Sequence, residues 1–141
     1  AGSISKRLGI KIGKKFKEPV LEFYFKSDTL NDPIVSETHI EVLNIASQKD
    51  LKRIKKQAIK VNDLLIKMFE TVGITLVDFK MEFGKFNKEL LLADEISPDS
   101  CRLWPKGTKN SLDKDIFREN KGNLINAYKR VLKKIKVFEY V

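Results

Sequence analysis

Val77-Asp78-Phe79-Lys80-Met81-Glu82-Phe83-Gly84 is the stretch on which the reading of this chain turns. In an extended strand successive side chains face opposite ways, so Asp78, Lys80 and Glu82 are expected on one face and Val77, Phe79, Met81 and Phe83 on the other. One face is suited to burial, while the other carries two carboxylates and an ammonium. After a turn expected at residues 84–88, residues 90–96 read as a second strand. The two strands form an antiparallel hairpin, which brings the Asp94 end back toward Asp78 and Lys80.

Glu82 and Asp94, from adjacent strands, can bind magnesium together with nucleotide phosphates, because magnesium favours a few carboxylates plus phosphate oxygens and water. Lys80 could contact a phosphate or hold a carboxylate in place. The competing reading is a surface hairpin with cross-strand ion pairs worth ~0.2–1 kcal/mol each. The apolar residues that flank these charges favour the first reading.

The chain has one cysteine, Cys101, and one histidine, His39, which excludes a disulfide framework and a zinc site built from Cys and His. Any metal must therefore be held by oxygen, which points to magnesium, manganese or calcium. A reducing cytoplasm is the expected setting. At 141 residues with 42% hydrophobic content, a single region spanning 1–141 with a buried core is expected, and no linker marks a boundary. No run approaches the ~20 apolar residues of a membrane span, so no membrane partner is expected.

The net charge of +9 raises nucleic acid as a partner. The charge is spread evenly, however, with +5 over residues 1–70 and +4 over 71–141. Basic residues interleaved with aromatic ones in one segment, as a polynucleotide site requires, are missing, so no nucleic-acid partner is expected. The window 75–104 is net −2 and runs against this basic background.

Outward from the hairpin, residues 19–26 read as a strand that ends in a turn-rich loop, where Lys26 and Asp32 could face a polar ligand. Ser36 opens a short helix in which His39 is a surface or capping residue. Ser47 and Asp50 mark the start of a long amphipathic helix to Val72, with Leu51, Ile54, Ala58, Val61, Leu65, Met68 and Phe69 on its apolar stripe and Gly73 as its stop. Residues 112–137 read as largely helical, with Leu124, Ala127, Tyr128, Val131, Leu132 and Ile135 as the stripe and Gly122 dividing two helices. At the start, Gly2 and Ser3 before Lys6 and Arg7 could cradle a phosphate, or Ser3 could simply cap a helix. Arg7, Arg102 and Arg118 fall in the most motif-like segments of a chain that otherwise chooses lysine, which suggests an anionic small ligand.

Several segments together resemble the SAICAR synthetase family. They are Ala1-Gly2-Ser3 with Lys6-Arg7-Leu8-Gly9, Phe23-Tyr24-Phe25-Lys26-Ser27-Asp28 with Asp32-Pro33, and Leu76-Val77-Asp78-Phe79-Lys80-Met81-Glu82-Phe83-Gly84. To these are added Asp94-Glu95-Ile96-Ser97-Pro98-Asp99, Arg102-Leu103-Trp104 and Asp113-Lys114-Asp115-Ile116-Phe117-Arg118. The resemblance implies an ATP-dependent ligase of purine biosynthesis that joins L-aspartate to carboxyaminoimidazole ribonucleotide, with ATP as co-substrate and Mg2+. It implies an α+β, ATP-grasp and kinase-like fold, of which this chain is the C-terminal lobe, with an antiparallel sheet and flanking helices. The N-terminal lobe, with its Gly- and Lys-rich phosphate segment, is expected to lie outside the chain, which alone would then be inactive or nearly so.

By the same resemblance, Glu82 and Asp94 would bind magnesium and Lys80 the nucleotide. Ser3 and Arg102 would hold the 5′-phosphate, and Asp32, Asp78 and Asp99 would lie near the substrate's polar groups or the incoming aspartate. Lys80, Asp78 and Asp99 are the expected catalytic residues. Lys26, Lys114 and Arg118 complete the substrate-binding set. A homodimer is the expected assembly. A fragment serving only as a folding or oligomer interface is the alternative, ahead of a basic nucleic-acid-binding module.

Overall fold

The computed structural model describes residues 4–94, 96–118 and 122–136. It divides into two compact units, residues 1–59 and 60–141.

The first unit opens with the short helix α1 (Ile4–Leu8). Only Phe23–Tyr24 of the expected strand at 19–26 forms a ladder (β1); it pairs antiparallel with β2 (Ile34–Val35). A 3₁₀ turn at Asp28–Leu30 separates them. Asn31 and Asp32 follow in left-handed conformation at φ 56° and 46°. Asn and Asp tolerate that region best after glycine, so this loop returns the chain without one. Helix α2 (Glu37–Val42) has the full capping box: Ser36 Oγ accepts from His39 N, and His39 Nδ1 accepts from Ser36 N. His39 is thus a capping residue, as expected.

Helix α3 (Gln48–Thr71) starts where Ser47 Oγ accepts from Asp50 N at 3.1 Å. Its apolar stripe is buried or half-buried throughout, with Leu51 and Ala58 nearly inaccessible. Gly73, at φ 67°, ends it in the left-handed conformation that suits glycine. Lys134 Nζ donates to the Val72 carbonyl at 3.0 Å, so a cation satisfies the helix's C-terminal end.

The second unit departs from the expected single strand across residues 77–83. That segment is two strands, β3 (Ile74–Phe79) and β4 (Glu82–Phe86), with different partners. β3 pairs antiparallel with β6 (Cys101–Pro105), and β4 with β5 (Glu89–Ala93). The register shifts between Leu76 and Asp78, which leaves Val77 as the extra residue of a bulge. A bulge reverses the parity of a strand. Ile74, Leu76 and Phe79 therefore share the core, while Val77 is exposed. Lys80 lies beyond the ladder, its N–H bonded to the Ser100 carbonyl at 2.8 Å, and the chain then changes partner.

The hairpin turn is also not at 84–88. Gly84 sits inside β4, and the reversal falls on Asn87 and Lys88, both at positive φ, as a two-residue hairpin turn requires. β5 runs from Glu89 to Ala93, so the strand expected to reach residue 96 stops before Asp94, whose φ of 70° ends it. Among the described residues, the antiparallel pairing expected of the sheet is present as three separate two-stranded sheets.

The core of this unit comprises Phe69, Ile74, Cys101, Leu103, Leu112 and Val131, with Leu65, Met68, Val72, Leu76, Phe79, Ile96 and Ile135 packed against them. Burial raises the Cys101 thiol to about 11, so it behaves as a small apolar side chain. Within the expected terminal helix only α4 (Asp115–Arg118) and α5 (Leu124–Ile135) are helical among the described residues, with Gly122 between them as expected. Asn123 caps α5 through Asn126 N. Leu132, expected on the buried stripe, is 52% exposed, whereas Ala127 and Val131 are buried and Val131 belongs to the core.

Candidate active site

The bulge that exposes Asp78 also sets it opposite Arg102 on β6. Arg102 NH1 bonds the Asp78 carboxylate, and Arg102 Nε donates to Asp115 Oδ2 at 2.5 Å. Arg118 NH1 donates to the other oxygen, Asp115 Oδ1, at 2.9 Å. Two guanidinium groups therefore flank Asp115, whose side chain is 14% exposed. Burial pushes the Asp115 carboxyl up, but the bonds from Arg102 and Arg118 outweigh it and hold the group below its ordinary value. Lost hydration raises Asp78 and prevails over the pull of Arg102, although solvent still reaches more than half of its side chain.

A second cluster lies in the same unit. Lys114 Nζ is 2.8 Å from Asp99 Oδ1, and the Tyr128 hydroxyl donates to Asp99 Oδ1 at 3.4 Å. The bond from Lys114 is the main reason that Asp99 is held below its ordinary value. Burial, followed by the charge of Asp99, pushes the Tyr128 phenol up to about 12, which keeps it a neutral donor.

The third group is the open end of the β4–β5 hairpin. Glu82 pairs across the ladder with Ala93, one residue before Asp94, and Lys80 Nζ lies 2.6 Å from Glu82 Oε1. Among the described residues no three His, Cys, Asp or Glu side chains form a metal-binding group. A dedicated protein cage is therefore absent among them. Two carboxylates at one hairpin end fit magnesium, which is commonly bound through one or two carboxylates, the rest of its shell coming from phosphate oxygens and water.

In the first unit, Lys26 Nζ lies 3.3 Å from Asp28 Oδ1 and 3.8 Å from Asp32 Oδ2, and Asp32 Oδ1 accepts from Ser27 N at 2.8 Å. Arg7, which residue choice linked to an anionic ligand, donates to Glu22 at 2.6 Å, so its guanidinium meets a carboxylate of its own unit. Ser3, expected at the 5′-phosphate, lies outside the described residues.

The second unit thus joins Asp78, Arg102 and Arg118 in one network, Asp99 and Lys114 in another, and Lys80 with Glu82 beside Asp94. Asp113, Asp115 and Tyr128 were missed as functional candidates. Asp113 and Asp115 lie in a segment that carries the family resemblance, but nothing in its spacing gives either of them a role, and Tyr128 reads only as part of an apolar stripe. Asp113 is 2% exposed, and burial of an aspartate next to lysine is not visible in a linear sequence.

The Asp115 geometry has a pH consequence. A carboxyl held below its ordinary value adds stability above that value and loses it as pH falls through the depressed one. Acid titration followed by circular dichroism should therefore show Asp115→Asn losing less stability than the native chain below about pH 4.

The chain matches the family model described as SAICAR synthetase over residues 1–135. It is 52% identical over 136 residues to the phosphoribosylaminoimidazole-succinocarboxamide synthase of Shouchella clausii, and 48% identical to that of Staphylococcus aureus. These alignments cover 96% of the chain and 57% and 58% of those proteins, so the chain spans less than two thirds of their length. Among solved structures, the synthase of Ehrlichia chaffeensis superposes at TM-score 0.91 with 48% identity, covering 96% of this chain and 59% of its own. A SAICAR synthetase in complex with ADP superposes at TM-score 0.89 with 50% identity, covering 96% and 58%. With the motif segments of both units falling inside one continuous match to that model, the chain belongs to the SAICAR synthetase family.

Proposed function

We propose that the protein carrying this chain is an ATP-dependent ligase that joins L-aspartate to carboxyaminoimidazole ribonucleotide, releasing ADP and phosphate. The observation that carries this reading is the hairpin end. Lys80 and Glu82 lie there, with Asp94 one residue past the cross-strand partner of Glu82, in a chain 50% identical to a SAICAR synthetase in complex with ADP.

A carboxylate is a poor electrophile. In the proposed reaction a substrate carboxylate oxygen attacks the γ-phosphorus of ATP, ADP leaves, and an acyl phosphate results. The aspartate amine then attacks the acyl carbon, the C–O bond to phosphate breaks, and the amine loses a proton. Lys80 offsets charge on the phosphoryl group in transfer, so its ammonium acts where negative charge builds up. Glu82 and Asp94 would hold magnesium, which supplies further neutralisation of the same oxygens.

Arg102, with Ser3, orients the ribonucleotide through its 5′-phosphate. Lys26, Asp32, Asp78 and Asp99 meet polar groups of the substrates, Asp78 and Asp99 next to the incoming amine. Lys114 and Arg118 meet carboxylates. No protein nucleophile is required. Small molecules are thus the proposed partners, in a cytoplasmic homodimer that binds no nucleic acid.

The test supplies the whole protein with ATP, magnesium, L-aspartate and carboxyaminoimidazole ribonucleotide. The expected result is ADP, phosphate and the succinocarboxamide product in equal amounts. ADP release without incorporation of aspartate, or no turnover, would overturn the reading.

A further inference from the structure

We propose that Asp113 is a positioning residue that, through the backbones of Leu103 and Asp115, sets the geometry of the Arg102–Asp115 pair and hence ribonucleotide binding; this rests on the function proposed above. Its carboxylate is 2% exposed. Oδ2 accepts from Leu103 N at 2.7 Å and Oδ1 accepts from Asp115 N at 2.9 Å.

Leu103, itself fully buried, pairs with Leu76 on β3 through one edge of β6. The backbone groups of Leu103 instead bond residues 112–113: its N–H goes to Asp113, and its carbonyl accepts from Leu112 N at 2.8 Å. The Asp113 carboxylate thereby stands where a neighbouring strand would offer a carbonyl. This stitch fastens the segment that bears Lys114, Asp115 and Arg118 onto the strand that bears Arg102.

Arg102 immediately precedes Leu103, and Asp115 supplies the second amide. One buried side chain therefore grips the backbone at both ends of the 2.5 Å Arg102–Asp115 bond. Both of its partners are donors, so the site calls for two acceptor oxygens. Asparagine, nearly the same size, would set its NH2 against one of those N–H groups and lose that bond.

The experiment measures steady-state kinetics of the full-length protein with Asp113→Asn, Asp115→Asn and both. Asp113→Asn should raise the ribonucleotide KM at least ~10-fold while leaving the ATP KM within about twofold, a split that general destabilisation would not produce. Because Asp113 acts through Asp115, the double variant should lose no more than Asp115→Asn alone. A ribonucleotide KM within about twofold of native, or effects that multiply, would overturn the inference. If Asp113→Asn fails to fold, Asp113→Glu, which keeps the charge and displaces the oxygens by one methylene, is held to the same outcomes. If the native protein does not turn over, the proposed function fails instead, and positioning is read from the Arg102 Nε–Hε resonance. Asp113→Asn should shift that resonance, and an unmoved one overturns the inference.

Discussion

Replacing Glu82 by Gln together with Asp94 by Asn in the whole protein is expected to lower magnesium-dependent turnover by about 10³-fold or more, because it removes both negative charges that would hold the cation against the phosphates. The amides keep size and polarity but carry no charge, so the loss should appear in kcat and in the magnesium requirement. Folding should be little affected. Lys80 loses its carboxylate partner at 2.6 Å, but its side chain is more than half exposed, and such pairs contribute ~0–1 kcal/mol. The measurement is turnover against magnesium concentration, with thermal unfolding of the same samples alongside. A folded double variant retaining turnover within tenfold of native would remove Glu82 and Asp94 from the metal role.

Arg102→Lys should also be damaging, though less so and by a different route. The guanidinium uses Nε for Asp115 and NH1 for Asp78, spanning two carboxylates on separate elements. An ammonium is a single charged point and cannot reproduce a planar fork. The expected loss is about 100-fold in kcat/KM, carried mainly by the KM for the ribonucleotide. Asp115, 14% exposed, would keep only Arg118 as a bonded cation, which should cost about 1–3 kcal/mol of stability in urea titration. An unchanged ribonucleotide KM in a folded Arg102→Lys variant would show that the network is structural alone.

Much of the fold could be read from local pattern. The long helix was legible because Leu51, Ala58, Leu65 and Phe69 repeat at helical spacing and Gly73 stops them, and periodicity reports which face is buried. His39 as a cap and Gly122 as a break were legible for the same reason, since both act on neighbours a few residues away. Alternation does not describe residues 77–83, because it assumes an unbroken ladder. The bulge at Val77 and the change of partner after Phe79 depend on β6, more than twenty residues away.

By itself the sequence determined which chemistry was available. One cysteine and one histidine leave oxygen as the donor set, and the acidic window stands out against a basic chain. Its motifs also sufficed to identify the family. Only the tertiary structure decided which charges meet. Asp78 and Arg102, Arg102 and Asp115, and Asp99 and Lys114 are 24, 13 and 15 residues apart, brought together by antiparallel pairing and by a carboxylate, Asp113, that acts as a strand neighbour. Local pattern carries no information about such pairs, because their contact depends on the register of one strand against another, and a single extra residue changes it.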